Sequence, residues 1–176
     1  NANGVDGWVR SEMQNLPHKK EMSRELEPSW FHRPDGTVVM VFRDQNNSFK
    51  KLAAVRLDNA ITFSTPTLTN FPDSRAKQSA GNLPSGMAFQ VNNPSGNKTR
   101  VPLVVTLSKD GKLFDKAFLI RSGAEDLQAL RSEGLYKRIG YSYPKSIVWN
   151  GYLYVSYATN KEDVEVSRIP LSSLSY

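Results

Sequence analysis

The chain has 176 residues, room for one core or a slice of a larger one. It has no cysteine and only two histidines, His18 and His32. That excludes a disulfide framework, a thiolate metal site and a histidine-based zinc site, and neither a metal nor a cofactor is expected. The net charge is +6, but Lys and Arg are scattered rather than clustered, which argues against nucleic acid and fits an anionic small substrate.

With 39% hydrophobic residues and aromatics spread throughout, the chain is not disordered, and no run approaches the roughly 18 apolar residues of a membrane span. It starts at Asn without Met or signal peptide and reads as a mature form or a fragment. Eleven glycines and ten prolines separate short apolar runs, which favours β structure with many turns.

Residues 1–24 are polar and irregular, with Trp8 as an expected anchor. A hairpin follows in "EPSWFHRPDGTVVMVFRD" (27–44), turning at Pro34-Asp35-Gly36. Glu27 opens its first strand and Arg43 closes its second. With Glu27 placed opposite Asp44, Arg43 becomes a near neighbour of Glu27. Strand runs recur at 38–42, 52–57, 87–91, 101–107, 147–149, 152–157 and 164–169. Asn150-Gly151 between two of them signals a type I′ hairpin. These runs form a meander of one domain, 1–176, rather than alternating βα units. The exception is 122–140, where "AEDLQALRSEG" predicts a short helix or an ordered insertion loop.

Two segments share one plan. "RLDNAITF" (56–63) and "SKDGKLF" (108–114) each end a strand, place an Asp, turn through small residues and close on an aromatic. In such a turn the carboxylate of Asp58 or Asp110 accepts backbone N–H bonds while the aromatic packs beneath, which by itself can be purely structural.

These turns resemble degenerate Asp-boxes (S-x-D-x-G-x-T-W) of sialidase-type propellers. Further matches follow in the family's order. Glu27 begins a strand, Asp35-Gly36 turn, and Arg43-Asp44 end the next strand. Arg100 stands eight residues before Ser108, and Gly140-Tyr141-Ser142 supplies a G-Y-S context. Tyr143 is a rival for Tyr141, because "YSY" offers both. The resemblance implies an all-β fold, a β-propeller of four-stranded antiparallel blades. The chain would be about three to four blades of a six-bladed sialidase-like propeller, its C-terminal half, with Asp58 and Asp110 in equivalent turns on the rim. The family's first arginine and its acid/base aspartate have no counterpart in these residues.

The resemblance further implies a retaining exo-glycosidase that removes a terminal sialic acid or a related acidic 3-deoxy-ulosonic sugar. Tyr141 would be the nucleophile and Glu27 its base. A neutral tyrosine avoids the repulsion a carboxylate nucleophile would meet from the substrate's own carboxylate. A phenol, with a pKa of about 10, needs such a base. Arg43 and Arg100 would grip the substrate carboxylate, with Lys77 and Asn93 lining the pocket. The partners implied are an anionic glycan and the rest of the propeller, from missing residues or another chain. The implied location is secreted, periplasmic or extracellular, of bacterial type. The alternative is a non-catalytic carbohydrate-binding or interaction propeller.

Overall fold

The computed structural model describes residues 7, 8, 10–20, 22–57 and 59–176. Among these residues, eleven strands follow one another in three antiparallel sheets. The first sheet is β1 (Glu25–His32), β2 (Val38–Asp44), β3 (Lys50–Arg56) and β4 (Thr67–Pro72). The second is β5 (Ser79–Asn82), β6 (Ala88–Asn92), β7 (Leu103–Ser108) and β8 (Lys116–Arg121). The third is β9 (Tyr141–Trp149), β10 (Tyr152–Thr159) and β11 (Asp163–Pro170). Each sheet is a plain meander in sequence order. The expected four strands per blade are present in the first two sheets, and the third has three among the described residues.

Burial explains the sequence patterns. β10 alternates, with Leu153, Val155 and Tyr157 inward and Tyr152, Tyr154 and Ser156 half-buried between them, the signature of a strand with one wet face. β6 and β7 are buried at every position, because the middle sheet is covered on both faces. One core cluster joins the second and third sheets through Phe89, Val91, Leu103 and Val105 against Tyr141, Leu153 and Tyr157. Another joins the first and second through Phe31, Val39, Val41 and Ala88. Each fully buried side chain of this kind contributes about 1.5–3 kcal/mol. The sheets meet along their first strands. Ser79 on β5 and Ser146 on β9 share a 2.7 Å hydroxyl contact, and the Asn82 amide bonds both the N–H and the carbonyl of His32 at 2.8 Å.

The expected turns form as their chemistry dictates. Asp35 accepts the Thr37 N–H at 2.9 Å. Asp110 accepts the N–H groups of Lys112 and Leu113 at 2.7 and 2.9 Å, which hold its carboxyl down at about 2. Phe114 closes that turn edge-on to Phe31 and Phe71. Asn150 and Gly151 have φ of 46° and 80°, as a type I′ turn requires. Asp58 lies outside the described residues, so the carboxylate of the turn at 56–63 is not placed.

Two expectations change, and one alternative is decided. Strands β4, β5 and β8 lie outside the apolar runs. β5 (SAGN) is legible only in context, where Gly81 takes the Phe89 ring against its Cα. Of the two alternatives for residues 122–140, the ordered insertion loop forms and the helix does not. Leu130 and Leu135 have no face to bury against and remain 37% and 83% exposed. The segment is instead pinned by polar bonds, with Glu162 accepting the N–H groups of Arg131 and Ser132 and Asn160 donating to the Gln128 carbonyl. Trp8, the expected anchor, is 80% exposed.

Candidate active site

Glu27 and Arg43 do meet, but by another route than plain hairpin register. Glu25, not Glu27, pairs with Asp44, and Leu26 pairs with Arg43. The ladder then breaks, so that Glu27 and Pro28 together oppose Phe42 before Ser29 pairs with Val41. This is a β-bulge. Pro28 has no N–H to give the ladder, and Glu27 adopts φ 56°. A left-handed conformation is costly for any residue with a Cβ, and more so before a proline, which pushes its predecessor toward extended backbone. The bulge turns Glu27 to Arg43, with Nη1 to Oε2 at 3.4 Å. Both side chains are about a quarter exposed, so the pair contributes little to stability. Asp44 behind it is structural: Arg24 grips it bidentately with two 2.7 Å bonds.

Arg100 enters from the segment between β6 and β7. Its Nη2 donates to the Arg75 carbonyl at 3.3 Å. Burial, and then the like charge of Arg43, push its pKa down, while Asp73, Tyr143 and Glu27 act on it in the opposite sense. Arg100 therefore lies within electrostatic reach of all four groups. Asn93 does not line an open pocket. It is fully buried, and its amide donates to the carbonyls of Arg100 and Pro102 at 3.0 Å each, fixing the backbone that carries the arginine. Lys77 is half-buried in the loop before β5.

The tyrosines exchange places. Tyr141 is fully buried in the core of the second and third sheets, edge-on to Tyr157 at 5.5 Å and beneath the Arg121 guanidinium. Burial pushes its phenol up, away from nucleophilic behaviour. This corrects the assignment of Tyr141 as nucleophile: its ring is locked in the core against Tyr157 with the Arg121 guanidinium beside it, and although a regular strand would send 141 and 143 to the same face, the register break after Ser142 separates them. Tyr143 is 43% exposed, sits at φ 57° and precedes Pro144. It lies in the register break of β9, where Tyr143 and Pro144 together oppose Tyr157 between the Ser156–Lys145 and Ala158–Ser142 pairs. Lys161 holds its Nζ 5.3 Å from the centre of the Tyr143 ring.

The segment 122–140 delivers this tyrosine and locks the arginine together. Arg100 O accepts the Tyr141 N–H at 2.8 Å, and Arg100 N donates to Ile139 O. Gly140 lies across this joint at φ 108°, where a Cβ would stand 2.5 Å from the Arg100 carbonyl oxygen. Arg43 and Arg100 carry few protein acceptors for their ten N–H donors: one carboxylate oxygen and one carbonyl among the described contacts. Guanidiniums with unspent donors can receive a carboxylate. A cavity of about 420 Å³ between the first two sheets, walled by Phe31, Phe71 and Phe114, contains none of Glu27, Arg43, Arg100 or Tyr143. Sequence reasoning also missed Arg75, whose carbonyl receives Arg100 and whose φ is 59°.

Solved structures share this arrangement of sheets. A Hadza microbial sialidase superposes with a TM-score of 0.64 at 12% identity, over 86% of this chain and 29% of that one. The leech intramolecular trans-sialidase gives 0.60 at 13%, over 84% and 24%. An α-L-arabinofuranosidase from Fusarium graminearum gives 0.57 at 12%, over 92% and 49%. The chain thus spans about a quarter to a half of the length of these structures, and the likeness establishes a glycosidase-like β-propeller fold of which the three sheets are blades. No curated protein sequence matches. The BNR repeat-like domain model matches residues 1–155, and the chain belongs to that family.

Proposed function

We propose that this chain carries part of the active site of a retaining exo-glycosidase for a terminal acidic sugar, sialic acid or a related 3-deoxy-ulosonic acid. The observation that carries the reading is the contact of Arg43 with Glu27 at 3.4 Å, with Arg43, Glu27 and Tyr143 all within electrostatic reach of Arg100. In this reading Arg43 and Arg100 bind the substrate carboxylate. Tyr143 attacks the anomeric carbon as Glu27 takes its phenolic proton, and the glycosidic C–O bond breaks. The leaving oxygen receives its proton from a general acid, the role that in sialidases falls to an aspartate. Water then hydrolyses the glycosyl–tyrosine bond, with Glu27 returning the proton to the phenolate. Secretion or a periplasmic location suits a glycan substrate, and no helix among the described residues is long and apolar enough to cross a membrane.

The outer face of the third sheet supports a partner of the same kind. Ile147, Trp149, Val164 and Val166 are 62–81% exposed there, a face that a further blade of the propeller would cover.

The likeness to an arabinofuranosidase, by name an enzyme for an uncharged sugar, favours a second reading in which the fold serves a neutral glycoside. Assaying the full-length protein on an aryl sialoside and an aryl α-L-arabinofuranoside separates them. Turnover of the sialoside, with KM raised at least about tenfold by Arg100→Lys, is the expected result. Turnover of the arabinofuranoside alone overturns the acidic-sugar reading, and turnover of neither leaves the carbohydrate-binding propeller in its place.

A further inference from the structure

We propose that Gln78 is the positioning residue for Glu27: locked from below by the buried ammonium of Lys51, its amide holds the β1 bulge open and keeps the Glu27 carboxylate at Arg43. The inference rests on Glu27 acting in the site proposed above.

Gln78 is fully buried in the segment leading into β5. Its Nε2 donates to the carbonyls of Glu27 and Val41, each at 2.9 Å, with the Ser29 hydroxyl at 3.2 Å. Those two carbonyls flank the break in the β1–β2 ladder, where Pro28 offers no N–H. A buried carbonyl without a donor is costly, so a bulge of this shape needs a donor from elsewhere, and Gln78 supplies it from the second sheet. An amide can be flipped, and what fixes this one is its oxygen. Gln78 Oε1 accepts from Lys51 Nζ at 2.8 Å. Lys51 is a donor only, so the amide nitrogen cannot take the oxygen's place.

Lys51 is itself fully buried, and burial pushes its pKa down. Its surroundings nevertheless demand the ammonium. Asp73 Oδ1 at 2.9 Å, Ala76 O at 2.6 Å and Gln78 Oε1 at 2.8 Å are three acceptors for three protons. Asp73 is fixed in turn by the Ala76 N–H. The chain of contacts runs without a gap from a buried ion pair, through one amide, to the backbone of a residue in a left-handed conformation. The strain of its left-handed backbone would otherwise let Glu27 relax to an extended conformation and swing its carboxylate away.

The test uses Gln78→Leu and Gln78→Glu in the full-length protein. The first removes donors and acceptor. The second keeps an oxygen for Lys51 but sets a carboxylate against the Glu27 and Val41 carbonyls. Crystal structures of both are expected to show Glu27 at negative φ with its contact to Arg43 gone. On an aryl sialoside, kcat should fall about a hundredfold with KM within about threefold of the parent, because the arginines stay. Glu27 unmoved in either folded variant overturns the proposal. So does failure of both variants to fold, since a residue that positions Glu27 is not needed by the apolar cores. A displaced Glu27 in a protein whose parent hydrolyses no acidic glycoside upholds the positioning role and discards the enzymatic reading instead.

Discussion

Two bulges, one in β1 and one in β9, use the same backbone device on opposite supports. Each lies in the first strand of its sheet, each puts a proline inside a strand, and each sets the residue before that proline at φ near +56°. Glu27-Pro28 rests on a polar bed of Gln78, Lys51 and Asp73. Tyr143-Pro144 rests on the apolar core through Tyr141 and Tyr157, with Gly140 and Asn160 fixing the chain just before it. The difference follows from what each side chain must do. A carboxylate among cations has to be held against competing partners, which takes directional bonds. A phenol has only to project, and a close-packed floor suffices. Strained conformations of this kind cost about 1–3 kcal/mol each and persist where the surroundings over-determine them.

Breaking the polar support should have the largest effect. Lys51→Met leaves Asp73 as a buried unpaired charge and is expected to cost about 3–5 kcal/mol in denaturant unfolding. The double change Lys51→Met with Asp73→Asn should restore a substantial part. Breaking the other support comes next. Gly140→Ala places a methyl 2.5 Å from the Arg100 carbonyl in a conformation that L side chains rarely adopt, and about 3 kcal/mol should be lost. Because this joint carries Arg100, affinity for a carboxylate ligand should fall with it, whereas Lys51→Met should lower stability more than affinity.

The smallest effect lies outside both bulges and sharpens the contrast. Asp110 is held down at about 2 by backbone N–H groups, below its unfolded value of about 3.9. A depressed carboxyl contributes stability above its unfolded pKa and loses it as pH falls through the folded one. The unfolding midpoint should therefore decline between about pH 4 and pH 2, and Asp110→Asn should flatten that decline without touching turnover near neutral pH.

The hairpin at 27–44 was legible because Asp35-Gly36 fixes the turn, and the meander was legible from its apolar runs. The register was not. Sequence reasoning paired Glu27 with Asp44, whereas the bulge moves that pairing to Glu25. Pro28 was the available signal, since a proline inside a strand marks a bulge or an edge. Pro144 is the same signal beside Tyr143, and it separates the two tyrosines that the G-Y-S pattern confuses. Asn93 had the right neighbourhood and the wrong task, because a buried amide serving two carbonyls reads like any loop asparagine. Lys51 had no sequence signal: next to Lys50 it resembles a solvated strand end, and its burial depends on Asp73 and Gln78, more than twenty residues on.

The central claim is that Tyr143, presented by its bulge, is the working phenol, and that Tyr141 is core. Turnover of an aryl sialoside by the full-length Tyr143→Phe and Tyr141→Phe proteins, with thermal unfolding of each, tests it most directly. Tyr143→Phe should lose at least about a thousandfold in kcat with an unchanged unfolding midpoint. Tyr141→Phe should keep kcat within about tenfold of the parent. The reverse pattern, with Tyr141→Phe inactive and Tyr143→Phe active, would contradict the account.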